Sequence, residues 1–221
     1  MNDLRLVVFD CDGTLVDSLQ MITQTMHAAY LHHGYEMPDT SHIRQIIGLS
    51  LEVAIAELTP DFSVQQCEDV AASYRHHFHA LRKKGDMIEP LFDQARETLV
   101  ALEESGFLLG VATGKGIRGL NHVLELHDLT HFFTTLQTPD IAPGKPHPGM
   151  LENAMEVTGA RPENTVMIGD TSFDIEMAVN AGVHPVGVAW GYHEVDELKQ
   201  AGATAIVTQM TDLHSALDVL L

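Results

Sequence analysis

The most constraining feature of the chain is a short apolar segment that runs directly into two aspartates. Five of the six residues at 4–9 are apolar, which is typical of a parallel strand buried on both faces. Asp10 and Asp12 follow at i and i+2, so in extended chain both carboxylates lie on the same side of the backbone. Burying two adjacent charges is costly unless they meet a cation or take part in chemistry. The segment therefore predicts a central strand with a reactive or metal-binding turn at its end.

Length and charge limit the class of protein. The 221 residues suit one domain with a sizeable insertion, or two small domains. A net charge of −19, from 12 Lys and Arg against 31 Asp and Glu, works against nucleic acid and anionic membrane as partners. No apolar run is long enough to cross a bilayer or to resemble a signal peptide. With two cysteines and no disulfide framework, we expect a cytoplasmic protein, whose oligomeric state the sequence does not indicate.

Residues 17–86 differ from the rest of the chain because they predict helices without any strand. Apolar residues at helical spacing, interrupted by glycine or proline, predict four helices at about 17–33, 41–47, 50–58 and 63–84. A capping box at 63–66 begins the last of them, and Gly85 would close it. We therefore predict an all-helical unit at 17–86, inserted into a core made of residues 1–16 and 87–221.

Beyond residue 88, strands and helices alternate with short loops between them. The predicted strands lie at 107–112, 132–135, 165–168, 185–190 and 204–207, and the predicted helices at 92–104, 117–127, 148–158, 172–181, 194–201 and 211–220. Repeated strand–helix units imply a parallel sheet wound by right-handed crossovers. The predicted fold class is therefore α/β, with a Rossmann-like parallel sheet as the core and an inserted all-helical unit.

Polar residues follow each of the first four predicted strands. They are Asp10 and Asp12 after the first strand, Thr113 and Gly114 after the second, Lys145 in the loop after the third, and Asp170 after the fourth. Ligands of open parallel sheets bind outside the carboxyl ends of the strands. We therefore expect these residues, which are spread over 160 positions, to meet at one edge of the sheet.

The residue types suggest phosphoryl chemistry. Asp10 is a candidate nucleophile, since carboxylates can form acyl-phosphates. Asp12 lies beside a like charge, which favours its protonated form, so it can serve as general acid and then base. Thr113 offers a hydroxyl, Gly114 a backbone N–H at a helix start and Lys145 a positive charge, all suited to phosphate oxygens. Taken alone, Thr113 could equally be an ordinary strand-end threonine and Lys145 an exposed lysine.

The acids at the expected edge also suggest a metal ion. Asp174 lies one helical turn after Asp170 and on the same face. Together with Asp10 and Asp12 they form a set of ligands that contains oxygen only, which beside a phosphate site favours Mg²⁺ over zinc. The alternative is that Asp170 and Asp174 merely place favourable charges at a helix start.

With these residues, the chain resembles the haloacid dehalogenase superfamily of hydrolases, in particular its phosphoglycolate phosphatase-like group with a helical cap. The matching motifs extend over nearly the whole chain and are Asp10-Cys11-Asp12-Gly13-Thr14, Val111-Ala112-Thr113-Gly114, Lys145-Pro146 and Gly169-Asp170-Thr171-x-x-Asp174. The resemblance implies a Mg²⁺-dependent phosphatase that acts on a small phosphorylated metabolite through an aspartyl-phosphate. One departure is Gly114, where many relatives have an asparagine, so no contact from that side chain is expected.

The resemblance also implies a role for each residue. Asp10 would be the phosphorylated nucleophile and Asp12 the acid and base, while Thr113 and Lys145 would hold the phosphoryl group. The implied metal ligands are Asp10, the carbonyl oxygen of Asp12 and Asp170, with Asp174 supporting the metal through water or pairing with Lys145.

The helical unit would act as a cap that excludes water and selects the substrate. The turn at 47–50 resembles the family's cap loop that reaches the active site. Arg44 and Arg75 are the cap cations best suited to bind an anionic leaving group, unless they serve only solubility. Five histidines of this unit do not complete a zinc set, and we expect most of them at the surface or at the cap interface. They are His32, His33, His76, His77 and His79.

Other functions can be ranked against this one. A haloacid dehalogenase would not need Asp12 or the metal acids, and a phosphonate hydrolase would lack Asp12 and use a cap lysine, for which Lys83 and Lys84 are available. A sugar-phosphate mutase stays open, since its core chemistry is the same and the phosphate returns to the substrate. A receiver-type phosphorylation switch also clusters acids, a threonine and a lysine, but on a shorter domain without a cap. A binding protein is disfavoured because every catalytic position is filled.

Overall fold

A computed structural model describes residues 4–84 and 89–221 and shows one six-stranded parallel sheet. Its strands are β1 (Leu6–Phe9), β2 (Leu108–Ala112), β3 (Phe133–Gln137), β4 (Thr165–Gly169), β5 (His184–Val188) and β6 (Ala205–Val207), in the spatial order β3-β2-β1-β4-β5-β6. Phe9 is in register with Val111 of β2 and Ile168 of β4. Because β1 lies between β2 and β4, the turn after it occupies the middle of the carboxyl edge.

Both faces of β1 are buried, which explains its continuous apolar sequence. Val7 and Phe9 belong to one core cluster, and Leu6 and Val8 to a second cluster on the opposite face of the sheet. This alternation follows from the two-residue period of a strand. The predicted α/β fold with a parallel sheet is thereby confirmed.

Six helices flank the sheet: five lie between consecutive strands along the chain, and the last follows β6. They are α5 (Ala95–Glu104), α6 (Ile117–Leu126), α7 (Gly149–Thr158), α8 (Ser172–Ala181), α9 (Val195–Ala201) and α10 (Leu213–Leu220). Five of them begin within two residues of the predicted positions. Helix α5 begins three residues later than predicted, because Gln94 adopts a left-handed φ of 63° that a helix does not accommodate.

Four helices precede this part of the core and pack on one another. They are α1 (Leu19–His32), α2 (Thr40–Ile46), α3 (Leu51–Leu58) and α4 (Val64–Lys84), hereafter the helical insertion. They share an apolar cluster of their own that includes Met26, Tyr30 and Ile55. The predicted capping box is present, since Ser63 N donates to Gln66 Oε1 and Gln66 N donates to Ser63 Oγ. The predicted stop at Gly85 and the boundary between 86 and 87 lie outside the described residues.

The helical insertion joins the core through two adjacent chain segments. Val16 pairs with Leu91, and Asp17 N donates to the carbonyl oxygen of Pro90 at 2.8 Å. A third contact is made by His193 of the core. Its Nδ1 accepts a hydrogen bond from Ser172 N, so the ring proton is on Nε2, which donates to the carbonyl oxygen of Gln45 on α2. These contacts hold the insertion over the carboxyl edge of the sheet. Within the described ranges, the helices are too short or too polar to cross a membrane.

Candidate active site

Asp10 lies at the end of β1, fully buried at the centre of the carboxyl edge. Its Oδ1 lies 2.8 Å from Lys145 Nζ, whereas its Oδ2 has no hydrogen-bond partner among the described residues. The chain can turn sharply after Asp12 because Gly13 has a φ of 88°. A Cβ at Gly13 would also collide with the carboxylate of Asp170. The glycine therefore lets the two acids approach each other.

Asp170 and Asp174 are held by hydrogen bonds from several elements. Asp170 accepts one hydrogen bond at each carboxylate oxygen, from Thr14 Oγ1 and Tyr192 N, both at 2.9 Å. Asp174 Oδ2 accepts from Thr171 N and Thr171 Oγ1, in a capping box at the start of α8. These bonds fix the direction of both carboxylates before any ligand binds.

Three of these carboxylates form a group that fits a hard divalent cation. One oxygen atom from each of Asp10, Asp170 and Asp174 lies within 4.8 Å of the others. Lys145 supplies one positive charge to the three buried acids. Burial raises the pKa of Asp10 to about 7, against the opposing effect of Lys145, and burial together with Asp174 raises the pKa of Asp170 well above its usual range. The uncompensated charge and the free Asp10 Oδ2 suit the all-oxygen coordination of Mg²⁺.

Lys145 is completely enclosed between two acids. Its ammonium lies 2.8 Å from Asp10 Oδ1 and 2.5 Å from Asp174 Oδ1. Burial alone would lower the pKa of Lys145, but the two carboxylates raise it above its ordinary value. Lys145 is therefore a permanent cation beside Asp10. Of the two arrangements that the family resemblance left open for Asp174, the structure shows the pairing with Lys145.

Thr113 and Gly114 follow β2 and line the same cavity as Asp12. The structure brings them under the turn at 47–50 of the helical insertion, because a Cβ at Gly114 would collide with the carbonyl oxygens of Gly48 and Leu49. A Cβ at Gly48 would lie 2.9 Å from Thr171 Oγ1 on the other side of the site. The turn thus contacts the loops after both β2 and β4 and covers the buried acids.

Sequence reasoning missed a second buried lysine. Lys115 Nζ lies 3.1 Å from Asp12 Oδ1 and 2.9 Å from Glu89 Oε1, and Arg82 of α4 donates to Glu89 Oε2 at 2.7 Å. All four side chains are buried or nearly so. The repulsion that the sequence predicts at Asp12 is therefore offset by a cation. The spacing of Thr113 and Lys115 could have indicated proximity to the site, but nothing in the sequence indicates Glu89 as the partner.

The pKa values of Lys115 and Glu89 are shifted in opposite directions, and both shifts favour the charged form. Burial would lower the pKa of Lys115, but Asp12 and Glu89 raise it. Burial would raise the pKa of Glu89, yet Lys115 and Arg82 together lower it. Lys115 and Glu89 are therefore both ionised at neutral pH. We call the series Asp12–Lys115–Glu89–Arg82 the charge chain.

A cavity of about 1020 Å³ lies between the helical insertion and the carboxyl edge. Asp12, Thr113 and Gly114 line its inner end. The two predicted cap cations differ in position. Arg75 lines the cavity and is paired with Glu52, whereas Arg44 is not among the lining residues and donates to the carbonyl oxygen of Gly191 at 3.3 Å. The structure therefore brings Arg75 to the cavity and uses Arg44 to join the insertion to the core.

Of the five histidines predicted at the surface or the cap interface, His79 lines the cavity and the other four form a separate group. The rings of His32, His33, His76 and His77 are neighbours on the surface of α1 and α4, with centroids 5.1 to 5.7 Å apart. Within the described ranges, the one group of acids, cysteines or histidines with ligand atoms close enough for a metal is that of Asp10, Asp170 and Asp174.

Comparison with known proteins identifies the family. Residues 7–188 match the model described as haloacid dehalogenase-like hydrolase. A probable phosphatase, IndB of Dickeya dadantii, is 35% identical over 219 residues, which are 98% of this chain and 94% of that protein. Pyrophosphatase PpaX of Halalkalibacterium halodurans is 32% identical over 96% and 95% of the two chains, and a phosphoglycolate phosphatase of Vibrio cholerae is 29% identical over 100% and 99%.

A solved structure agrees with these relatives. A predicted phosphatase from Clostridium acetobutylicum superposes with a TM-score of 0.88 at 28% identity, over 99% of this chain and 100% of that one. Sequence and fold thus match over essentially the full length of both chains. The resemblance seen in the four motifs is confirmed, and the chain belongs to the haloacid dehalogenase-like hydrolases, an enzyme family in which its relatives are named as phosphatases.

Proposed function

We propose that the chain is a Mg²⁺-dependent phosphatase that hydrolyses a small phosphorylated metabolite through an aspartyl-phosphate at Asp10. The observation that supports this most is the state of the Asp10 carboxylate. One oxygen lies against the Lys145 ammonium, while the other has no partner and belongs to a group of three acids. Such an oxygen is free to bind a metal ion or to attack phosphorus.

In the first half-reaction, a carboxylate oxygen of Asp10 attacks the phosphorus atom and the bond from phosphorus to the leaving oxygen breaks. Asp12 donates a proton to that oxygen, so the leaving group departs as an alcohol. Thr113 Oγ1, Gly114 N–H and Lys145 Nζ would contact the non-bridging phosphoryl oxygens. Their positive charge and hydrogen bonds stabilise the developing charge in a site from which water is excluded.

In the second half-reaction, water attacks the phosphorus atom of the aspartyl-phosphate. Asp12, now ionised, takes a proton from the water, and the phosphoryl–Asp10 bond breaks to release inorganic phosphate. Lys115 lies 3.1 Å from Asp12 Oδ1 and would stabilise the ionised form between the two halves. Mg²⁺, held by Asp10, Asp170 and the carbonyl oxygen of Asp12 with Asp174 in support, would supply charge neutralisation at the phosphoryl group.

The helical insertion would serve as the cap in this reaction. Its turn at 47–50 already covers the acids, and the cavity beside it has room for a leaving group. Opening of the insertion would admit the substrate, and closure would exclude bulk water from the aspartyl-phosphate. Cys11 and Cys67 are free and buried, and we propose a cytoplasmic location for the reaction.

The test is a metabolite panel assayed with Mg²⁺, using purified wild type and Asp10→Asn. We expect phosphate release by the wild type, loss of release after chelation with recovery on adding Mg²⁺, and at least about a thousandfold lower activity for Asp10→Asn. A folded Asp10→Asn protein with full activity would disprove the proposal. Phosphorus NMR of the products separates hydrolysis, which gives inorganic phosphate, from a mutase, which gives an isomeric phosphate ester.

A further inference from the structure

The cavity under the helical insertion carries positive charge in a strongly acidic chain. Although the net charge is −19, five of the 12 Lys and Arg residues line this cavity, whereas its described lining residues include three of the 31 acids. The cations are Arg75, Arg82, Lys83, Lys115 and Arg118, and the acids are Asp12, Glu52 and Asp140. Such a local reversal of charge is the kind of field that attracts an anion.

Among the residues that the structure describes, only some of these cations have an acidic partner. Arg75 pairs with Glu52, Arg82 with Glu89, and Lys115 with both Asp12 and Glu89. The side chains of Lys83 and Arg118 form neither an ion pair nor a hydrogen bond with any residue of the described ranges. Both are exposed, and both border the cavity that contains Asp12.

A histidine lies one helical turn from each of these two cations. His79 precedes Lys83 by four residues on α4, and His122 follows Arg118 by four residues on α6, so each pair lies on one face of its helix. All four residues line the cavity, and we call them the cationic row. Arg118 lies three residues after Lys115, and His122 lies about 6 Å of helix rise beyond Arg118. On α6, the Arg118 and His122 members of the cationic row therefore lie farther along the helix than Lys115, the residue that contacts Asp12.

The cavity has room for a leaving group much larger than a two-carbon acid. Pockets of about 300–1000 Å³ hold molecules of drug size, and this one measures about 1020 Å³. Tyr74 and Phe78 stack with ring centroids 5.7 Å apart on the α4 side, where they give the cavity an apolar wall. Phe78 also lies near the buried acids, since Lys115 Nζ is 5.2 Å from its ring centroid and 3.1 Å from Asp12 Oδ1. A two-carbon acid or a single phosphate would nevertheless leave most of a cavity of this volume unfilled.

We infer that the substrate is a phosphate monoester whose leaving group is a mid-sized organic molecule with a negative group of its own, a carboxylate or a second phosphate. This inference rests on the proposed phosphatase function. Lys83 and Arg118 neutralise the second anion, and His79 and His122 donate hydrogen bonds to it. The inference separates this chain from relatives named for phosphoglycolate or pyrophosphate, whose leaving groups would fill a small part of the cavity.

Matched substrates test the charge of the leaving group. For 4-carboxyphenyl phosphate and 4-carbamoylphenyl phosphate, which share a ring and differ in charge, we expect kcat/KM to favour the carboxylate by about tenfold, mainly through KM. A hexose 1,6-bisphosphate compared with the corresponding 1-phosphate tests a second phosphate in the same way, and the larger preference identifies which anion the site takes. Phosphoglycolate and pyrophosphate should be poorer substrates than the better of these esters.

Variants test the residues. The double variant Lys83→Gln/Arg118→Gln should lose the preference for the anionic ester, mainly through a higher KM for that ester. Lys199→Gln on α9, which removes one exposed cation outside the cavity, should keep the preference. A double variant that still prefers the anionic ester would overturn the assignment of these residues.

Binding provides a readout that does not need turnover. Calorimetry with Asp10→Asn protein and Mg²⁺ should show tighter binding of the carboxylate ester than of the carboxamide, and the double variant should abolish the difference. The inference would be overturned if Asp10→Asn bound the two esters with equal affinity and the wild type hydrolysed them with equal kcat/KM. If no ester is hydrolysed but the carboxylate ester binds more tightly, the phosphatase proposal fails and the anion site stands.

Discussion

Two buried lysines hold the two aspartates that follow β1, and they differ in what lies behind them. Lys145 bridges Asp10 and Asp174, and both partners belong to the sheet core. Lys115 bridges Asp12 and Glu89, and Glu89 in turn binds Arg82 on α4 of the helical insertion. One aspartate is therefore positioned by the core alone, and the other by a charge chain that reaches the insertion.

This difference assigns separate tasks to the two parts of the molecule. Asp10, the proposed nucleophile, and its neighbour Asp174 are held by Lys145, by the end of β1 and by the capping box of α8, all of which belong to the core. The position of Asp12 depends on Lys115, and the position of Lys115 on a residue that the insertion holds. In the proposed reaction, proton transfer would therefore be coupled to the placement of the insertion, whereas the attack on phosphorus would not.

The largest effect is expected from Lys145→Met. This change leaves three buried carboxylates without their cation, so kcat should fall by about a thousandfold or more. Breaking a buried ion pair should also lower the free energy of unfolding by about 3–5 kcal/mol. Steady-state kinetics and urea unfolding measure the two effects, with the exposed Lys199→Met as control. A folded Lys145→Met protein with near-normal kcat would show that Asp10 does not depend on Lys145.

Lys115→Met should have a smaller effect and a different signature. Asp12 and Glu89 then remain buried without their common cation, so we expect kcat to fall by about ten- to a hundredfold because proton transfer is misaligned. Single-turnover experiments should show slower release of the leaving group, with the deficit shrinking for esters whose leaving group needs no proton. An equal deficit for all leaving groups would contradict the assignment of Lys115 to the proton-transfer half.

Arg82→Gln removes the link to the insertion and leaves Lys115 between its two acids. Since Asp12 keeps its cation, kcat should fall by only about five- to tenfold. The open state of the insertion should become more populated, which limited proteolysis of the segments at 16–18 and 89–91 can report. The control is Arg161→Gln, whose ion-pair partner Glu163 is also exposed. If Arg82→Gln matched Lys115→Met in both assays, the charge chain would act as one unit and the graded comparison would fail.

The site residues that the core alone positions could be predicted from the sequence, because each is placed by the end of a strand. Asp10, Thr113 and Asp170 each follow a buried apolar strand, and parallel strands bring their carboxyl ends to one edge. Lys145 was found by the same rule although its loop is long. The order of the strands was not needed for this prediction, since every strand end in the set reaches that edge.

The charge chain could not be predicted in this way. Glu89 and Lys115 are 26 residues apart and belong to no periodic pattern, and their contact depends on how the segment after the insertion crosses the sheet edge. The same limit applies to Arg44 and Arg75, which the sequence does not distinguish. Their positions depend on which face of each helix packs on the core, and an exposed arginine fits the sequence pattern on either face.

The pH dependence of unfolding gives the smallest expected effects, but it separates the two aspartate environments by sign. Burial raises the pKa of Asp10 to about 7 from 3.8, so the metal-free folded protein holds this proton more tightly than the unfolded chain does. Its stabilising contribution is complete below about pH 4 and is lost as the pH rises towards 7. Asp10→Asn should remove part of that decline, with the remainder due to Asp170, and Mg²⁺ should reduce the decline in the wild type.

Glu89 should show the opposite dependence. Burial opposes its charge, but Lys115 and Arg82 lower its pKa below 4.5, so its contribution is complete above that pH and is lost as the pH falls further. Glu89→Gln should flatten the acid side of the profile and leave the decline between pH 4 and 7 intact. Urea midpoints measured with EDTA from pH 3.5 to 8 test both variants together. If Asp10→Asn and Glu89→Gln changed the slope of the urea midpoint over the same pH range, the two lysines would not create different environments. The distinction between an aspartate held by the core and one held through the insertion would then be wrong.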